Sequence, residues 1–167
     1  MDIVRLRLPY RFIRDRLRLT WREVHYGLVN ELLDPEAAVA FAIEQVGELE
    51  APPSALLSLA EQCKGEPVLE LVEQLAEMEP KRSEDEIRRK WLYLVLAWIY
   101  EHRHEYSDPL QRVEEVYADF GYPEELATFV RYMPMVGPDL GSKNENERRL
   151  FQRWKQYLDD VGSAWSP

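Results

Sequence analysis

Ten consecutive apolar or aromatic residues, Trp91 to Tyr100, form the most uniformly hydrophobic stretch of the chain. Crossing a bilayer takes about 20 such residues, so this run is too short to span one. A helix apolar on every side, in a soluble chain, belongs at the centre of a fold, hidden by its neighbours. Ser83-Glu84-Asp85-Glu86 precedes it as a capping box, in which the hydroxyl and the carboxylate each satisfy an exposed backbone N–H. The pattern predicts a buried central helix near residues 84–105.

The rest of the chain reads as shorter helices punctuated by caps. Residues 2–8 alternate in polarity, predicting an extended arm over 1–8 that Pro9 closes. Tyr10, Phe12, Ile13 and Leu17 make a stripe for a helix to about Leu19. Thr20-Trp21-Arg22-Glu23 is a capping box for a helix to Leu33. At Asp34-Pro35 the Asp caps and Pro takes the first helical position, where its missing N–H is not needed. That helix ends near Gly47; another runs from about Leu56 to Cys63 with Gly65 as its stop, and a third from Pro67 to Pro80.

Beyond the central run, Asp108-Pro109 opens a helix to Phe120 that Gly121 stops, and Pro123 opens one ending near Tyr132. Met133 to Gly141 holds two prolines and two glycines and reads as irregular. Ser142-Lys143-Asn144-Glu145 is a third capping box, for a last helix to about Val161. Trp154, Tyr157 and Leu158 form an exposed stripe on it that could serve as an interface, and residues 162–167 read as a loose tail. The fold class is therefore all-α, a single-domain bundle over 1–167 of about nine helices around the buried central one. An open solenoid is the alternative, although no repeat period is present.

Charge is unevenly spread along the sequence. Residues 1–22 carry seven arginines against two aspartates, whereas residues 23–86 carry sixteen carboxylates against three basic residues, within a net charge of −10. An acidic middle repels phosphate, which argues against nucleic-acid binding, leaving only the arginine-rich segment for such a contact. The same charge suits a basic protein partner. The one cysteine, Cys63, excludes an internal disulfide and a cysteine-based zinc site, and reads as a small core residue. With no apolar run of signal-peptide length at the start, cytoplasmic residence without membrane association is expected.

Catalytic signatures are sparse. The chain has no phosphate-binding glycine loop, no Gly-x-Ser-x-Gly elbow and no His-Glu-x-x-His. His102 and His104, with Glu101, Glu105 and Asp108 nearby, are the only concentration of metal-ligand types. Imidazoles two residues apart point about 200° apart on a helix, so they share an ion only if the helix ends between them. At a helix C-terminus they complement the dipole instead. No catalytic residue, metal or cofactor is assigned from the residues.

Tyr117-Ala-Asp-Phe-Gly-Tyr-Pro123 and Phe129-Val-Arg-Tyr-Met-Pro134 differ in kind, crowding aromatic side chains at one helix-Gly-Pro-helix corner. Asp119 reads as the partner of Arg131 or as an acceptor near Gly121. Asp119, Tyr122, Arg131 and Tyr132 are the candidate interaction surface, because Tyr and Arg dominate binding hot spots.

These two segments, together with Tyr10-Arg-Phe-Ile-Arg-Asp-Arg-Leu-Arg-Leu-Thr-Trp21, Tyr26-Gly27-Leu28 and Asp34-Pro35-Glu36-Ala37-Ala38, resemble a bacterial family classed as domain of unknown function 2247. The resemblance covers about residues 10–135. It implies a compact bacterial protein and brings no activity or catalytic residue with it; the arginine density of residues 5–22 departs from it. The function expected from all this is non-catalytic protein binding, one form being an immunity-type inhibitor of a basic toxin or enzyme. The alternative is a metal-dependent enzyme using His102, His104 and nearby carboxylates. Oligomeric state is not encoded legibly.

Overall fold

The computed structural model describes residues 6–62 and 68–165. The expectations for residues 1–5, for Cys63 and Gly65, and for residues 166–167 lie outside that range. Among the described residues there are eight α-helices, three short 3-10 turns and no strand, so the fold is all-α. The helices are α1 (Tyr10–Arg14), α2 (Trp21–Val29), α3 (Pro35–Glu48), α4 (Ser54–Ala60), α5 (Leu69–Glu77), α6 (Glu84–Glu101), α7 (Pro109–Asp119) and α8 (Lys143–Gly162). The described residues group into two compact units, one up to Trp91 and one from Leu92.

In the first unit, local chemistry sets the helix ends. The capping box at Thr20 forms in full, the hydroxyl accepting from Glu23 N–H and the Glu23 carboxylate accepting from Thr20 N–H. Glu79, distant in sequence, adds a second cap: its two carboxylate oxygens accept the N–H groups of Trp21 and Arg22, each at 3.0 Å. α2 ends at Val29, earlier than expected, because Asn30 turns its side chain back onto the Tyr26 carbonyl and Glu31 adopts φ +57°. α1 also stops early. Arg16 N–H and Leu17 N–H both return to the Ile13 carbonyl, a turn that delivers Leu17 to the core. Asp34 opens α3 without capping it; its carboxylate takes Arg7 at 2.6 Å instead.

Packing explains a glycine inside α2. A β-carbon on Gly27 would lie 2.3 Å from Trp91 Cζ2, so only glycine lets α6 approach this closely. The Trp91 indole N–H then donates to the Glu23 carbonyl at 2.8 Å.

The central run behaves as expected over most of its length. Every residue from Lys90 to Ala97 is buried, as is Ile99. Trp98 and Tyr100 are only half-buried, so concealment on every side fails at those two positions. The helix stops at Glu101 rather than continuing to 105, and a 3-10 turn over Arg103–Glu105 follows. Two side chains satisfy its last carbonyls: Arg103 donates to Tyr100 O, and His102 Nδ1 lies 2.8 Å from Trp98 O.

In the second unit, α8 and the 3-10 turn over Glu124–Phe129 pack together. Trp154 is fully buried, contacting Tyr100 edge-on at 5.1 Å, and Tyr157 lies 5.6 Å from Phe129. The exposed stripe expected at Trp154, Tyr157 and Leu158 is thus a packing face. The expected loose tail is also corrected: residues 163–165 form a 3-10 turn whose Trp165 meets Tyr93 at 5.5 Å.

Folding also redistributes charge. Arg7, Arg14 and Arg18 reach into the acidic stretch to pair with Asp34, Glu44 and Glu48. Residues 5–91 hold thirteen basic and seventeen acidic side chains, and residues 92–166 hold eight and thirteen. The strong asymmetry along the sequence becomes a mild acidic excess in each unit.

Candidate interaction surface

The corner begins where α7 ends. Its start is fixed by Asp108, which accepts from Gln111 N–H, with Pro109 in the first helical turn. At the other end Phe120 caps, and Gly121 takes φ +77°, the left-handed conformation that glycine adopts without cost. Tyr122 follows at φ +59°, where a bulky side chain is strained, with its N–H bonded to Tyr117 O at 2.8 Å. The chain then makes the 3-10 turn in place of the helix expected to run on to Tyr132. Leu126, Phe129 and Val130 are buried beneath it.

Arg131 sits at the middle of an ion network. It donates to both oxygens of Asp108 at 3.1 and 2.8 Å, to Glu114 at 3.1 Å and to Glu147 at 3.2 Å. The Asp108 carboxyl is held below its usual value, chiefly by the Arg131 hydrogen bonds, and Arg131 is raised above its own by Asp108. Three carboxylates surround one guanidinium, leaving a local negative excess.

Beside this network three tyrosines cluster. Tyr117 is buried, with Tyr122 edge-on at 5.3 Å and Tyr132 tilted at 6.1 Å. Tyr122 is 62% exposed and Tyr132 is 56% exposed. The Tyr132 phenol is pushed up, first by loss of solvent and then by Tyr117, Tyr122 and Glu114.

Residues 133–141 are irregular, as expected, yet they are fixed in place. Arg149 donates to Pro138 O at 2.7 Å, Arg153 to Val136 O at 2.7 Å, and Asn146 accepts from Leu140 N–H while donating to Asp139. The Asp139 carboxyl is lowered by Asn146 and the Gly141 N–H. Ser142 starts α8 by accepting from Glu145 N–H at 3.1 Å. Between this segment and α8 lies a groove of about 440 Å³ lined by Val130, Met133, Met135, Val136 and Leu150 among others.

The four residues singled out from the sequence therefore fare differently. Tyr122 and Tyr132 stand exposed in one cluster, and Asp119 is half-buried at the end of α7. Arg131 was read as the partner of Asp119, but Asp108, Glu114 and Glu147 hold its guanidinium. Sequence reasoning missed that role for all three, having read Asp108 only as a cap. It also missed the bracing by Arg149 and Arg153.

Elsewhere the polar groups are spent on structure. In the first unit the Glu23 carboxylate is buried, with the Lys90 ammonium 2.8–2.9 Å from its oxygens and Arg82 at 3.0 Å. A cleft of about 240 Å³ there includes Arg14, Arg18, Trp21, Glu44 and Glu48 in its lining, the arginines and glutamates being mutually paired. His102 stacks on Trp98 at 3.9 Å while His104 is exposed. Among the described residues no three His, Cys, Asp or Glu side chains gather as a metal site would. Nor is any helix there long and apolar enough to cross a membrane.

A family model described as an uncharacterized protein conserved in bacteria, DUF2247, matches residues 10–162. No curated protein and no solved structure matches the chain.

Proposed function

The chain belongs to the DUF2247 family, and since that membership carries no activity with it, we propose on physical grounds that it is a non-catalytic protein-binding domain acting through the tyrosine corner. The observation that carries this reading is the concentration of exposed apolar side chains there. Tyr122, Tyr132, Met135, Val136 and Leu140 are between 44% and 62% exposed, all within residues 122–140. Scattered exposed hydrophobics are ordinary, whereas a patch marks an interaction site. The hydrogen bonds from Arg149, Arg153 and Asn146 hold this segment in one conformation, so little ordering entropy is lost on binding.

The net charge of −10 supports a basic partner, which long-range attraction brings in at low ionic strength. Capture of a basic toxin or enzyme, in the manner of an immunity protein, is the specific form of this reading. Photo-crosslinking in a bacterial host tests it, with a photoreactive phenylalanine at Met135 and, as control, at Ile43, which is 57% exposed in the first unit. A discrete protein adduct from position 135 alone is expected, with a yield that falls as salt rises. Identical adducts from both positions, or none from 135, would overturn the proposal.

A further inference from the structure

We infer that the tyrosine cluster of Tyr117, Tyr122 and Tyr132 is a receptor for a single cationic side chain, the arginine or lysine of a basic partner. The inference rests on the binding role proposed for this corner and specifies the group it receives.

Three observations carry it. The first is geometric: the rings of Tyr122 and Tyr132 flank Tyr117 at 5.3 and 6.1 Å, at interplanar angles of 85° and 59°. Rings set at such angles form a concave corner rather than a flat stack. A cation is attracted to an aromatic face within about 6 Å of its centroid.

The second is electrostatic. The adjoining network sets three carboxylates against the one guanidinium of Arg131, so a further positive charge is welcome there. Glu114, a member of that network, acts electrostatically on the Tyr132 phenol, which places the negative charge beside the rings.

The third is conformational. Tyr122 follows a glycine already at φ +77° and itself adopts φ +59°. A second left-handed residue is not needed to end α7, since the Gly121 turn does that. Its effect is to keep a large ring 62% exposed beside Tyr117. Strain of this kind, held by the surrounding structure, accumulates at binding sites.

The test needs no partner in hand. Aromatic-proton NMR of the full chain would follow Tyr122 and Tyr132 during titration with N-acetyl-arginine amide, N-acetyl-lysine amide, choline and the neutral N-acetyl-leucine amide. Saturable shifts of both rings with the arginine and lysine probes, and none with leucine, are expected. Tyr132→Leu should weaken the cation probes about fivefold, the loss of one exposed cation–π contact. Tyr132→Phe keeps the ring face and should restore them. Equal response to leucine and the cations, or an unchanged affinity in Tyr132→Leu, would overturn the inference. Choline binding tighter than both amino-acid probes would overturn the assignment to a protein side chain. If the position-135 adduct forms while the cation probes fail, the binding surface stands and the cation receptor falls; the reverse pattern removes the protein-binding role.

Discussion

Glu23 in the first unit and Arg131 in the second each gather opposite charges from distant parts of the chain, and their surroundings differ. The Glu23 carboxylate is 1% exposed and closed over by Lys90, itself 10% exposed, with Thr20 and Arg82 completing its shell. Arg131 is 30% exposed and Asp108 is 38% exposed, with tyrosines standing open beside them. Burial makes the first network a fastener whose charges cannot be changed singly. Partial exposure leaves the second cheap to alter and available to a ligand. Similar chemistry is spent on architecture in one place and left at the surface in the other.

The sharpest way to break the comparison is Glu23→Ala. It strands the Lys90 ammonium without a counter-charge, and a loss of about 3–5 kcal/mol is expected by denaturant unfolding. Adding Lys90→Met should recover part of that loss, since the charge left behind is then gone. Gly27→Ala comes next. A methyl group 2.3 Å from the Trp91 ring forces α2 and Trp91 apart, at a cost of about 1–3 kcal/mol.

The exposed network should yield less. Arg131→Ala is expected to cost about 1–2 kcal/mol, with a diagnostic pH dependence. The Asp108 carboxyl is depressed in the folded state, so its contribution is present above the ordinary carboxylate value and lost as pH falls through the lowered one. The stability gap between wild type and Arg131→Ala should therefore shrink on acidification below about pH 4. A gap unchanged down to pH 2 would show that the Asp108 contacts contribute nothing.

The smallest effect probes the strained residue. At an ordinary site alanine is more stable than glycine; at position 122, with φ +59°, the order should invert. Tyr122→Gly is expected to unfold about 1 kcal/mol later than Tyr122→Ala. The usual order would remove the strain from the account.

What could be read in advance follows the range of the interaction. Thr20 with Glu23, Ser83 with Glu86, Asp108 with Gln111 and Ser142 with Glu145 are three residues apart, and each of these N–H bonds forms. The apolar run of α6 was legible because burial from every direction needs no partner to be named. By contrast, Glu79 caps α2 from 58 residues away, and Glu23 meets Lys90 across 67, spacings no local pattern encodes. Asp34 looked like a cap, and Arg7 took its carboxylate instead. Trp154 looked exposed on an amphipathic helix because nothing local announces what covers it. At the corner, the aromatic crowding was legible, while the three carboxylates on Arg131 and the left-handed Tyr122 required the folded chain.

The most direct test of the central claim pairs stability with binding in the double variant Tyr122→Ala and Tyr132→Ala, carrying the photoreactive group at Met135. A midpoint of unfolding within reach of the wild type, with the protein adduct lost, is the result expected of an open binding corner. An adduct formed at undiminished yield, or a chain that no longer folds, would mean that these tyrosines belong to the architecture after all.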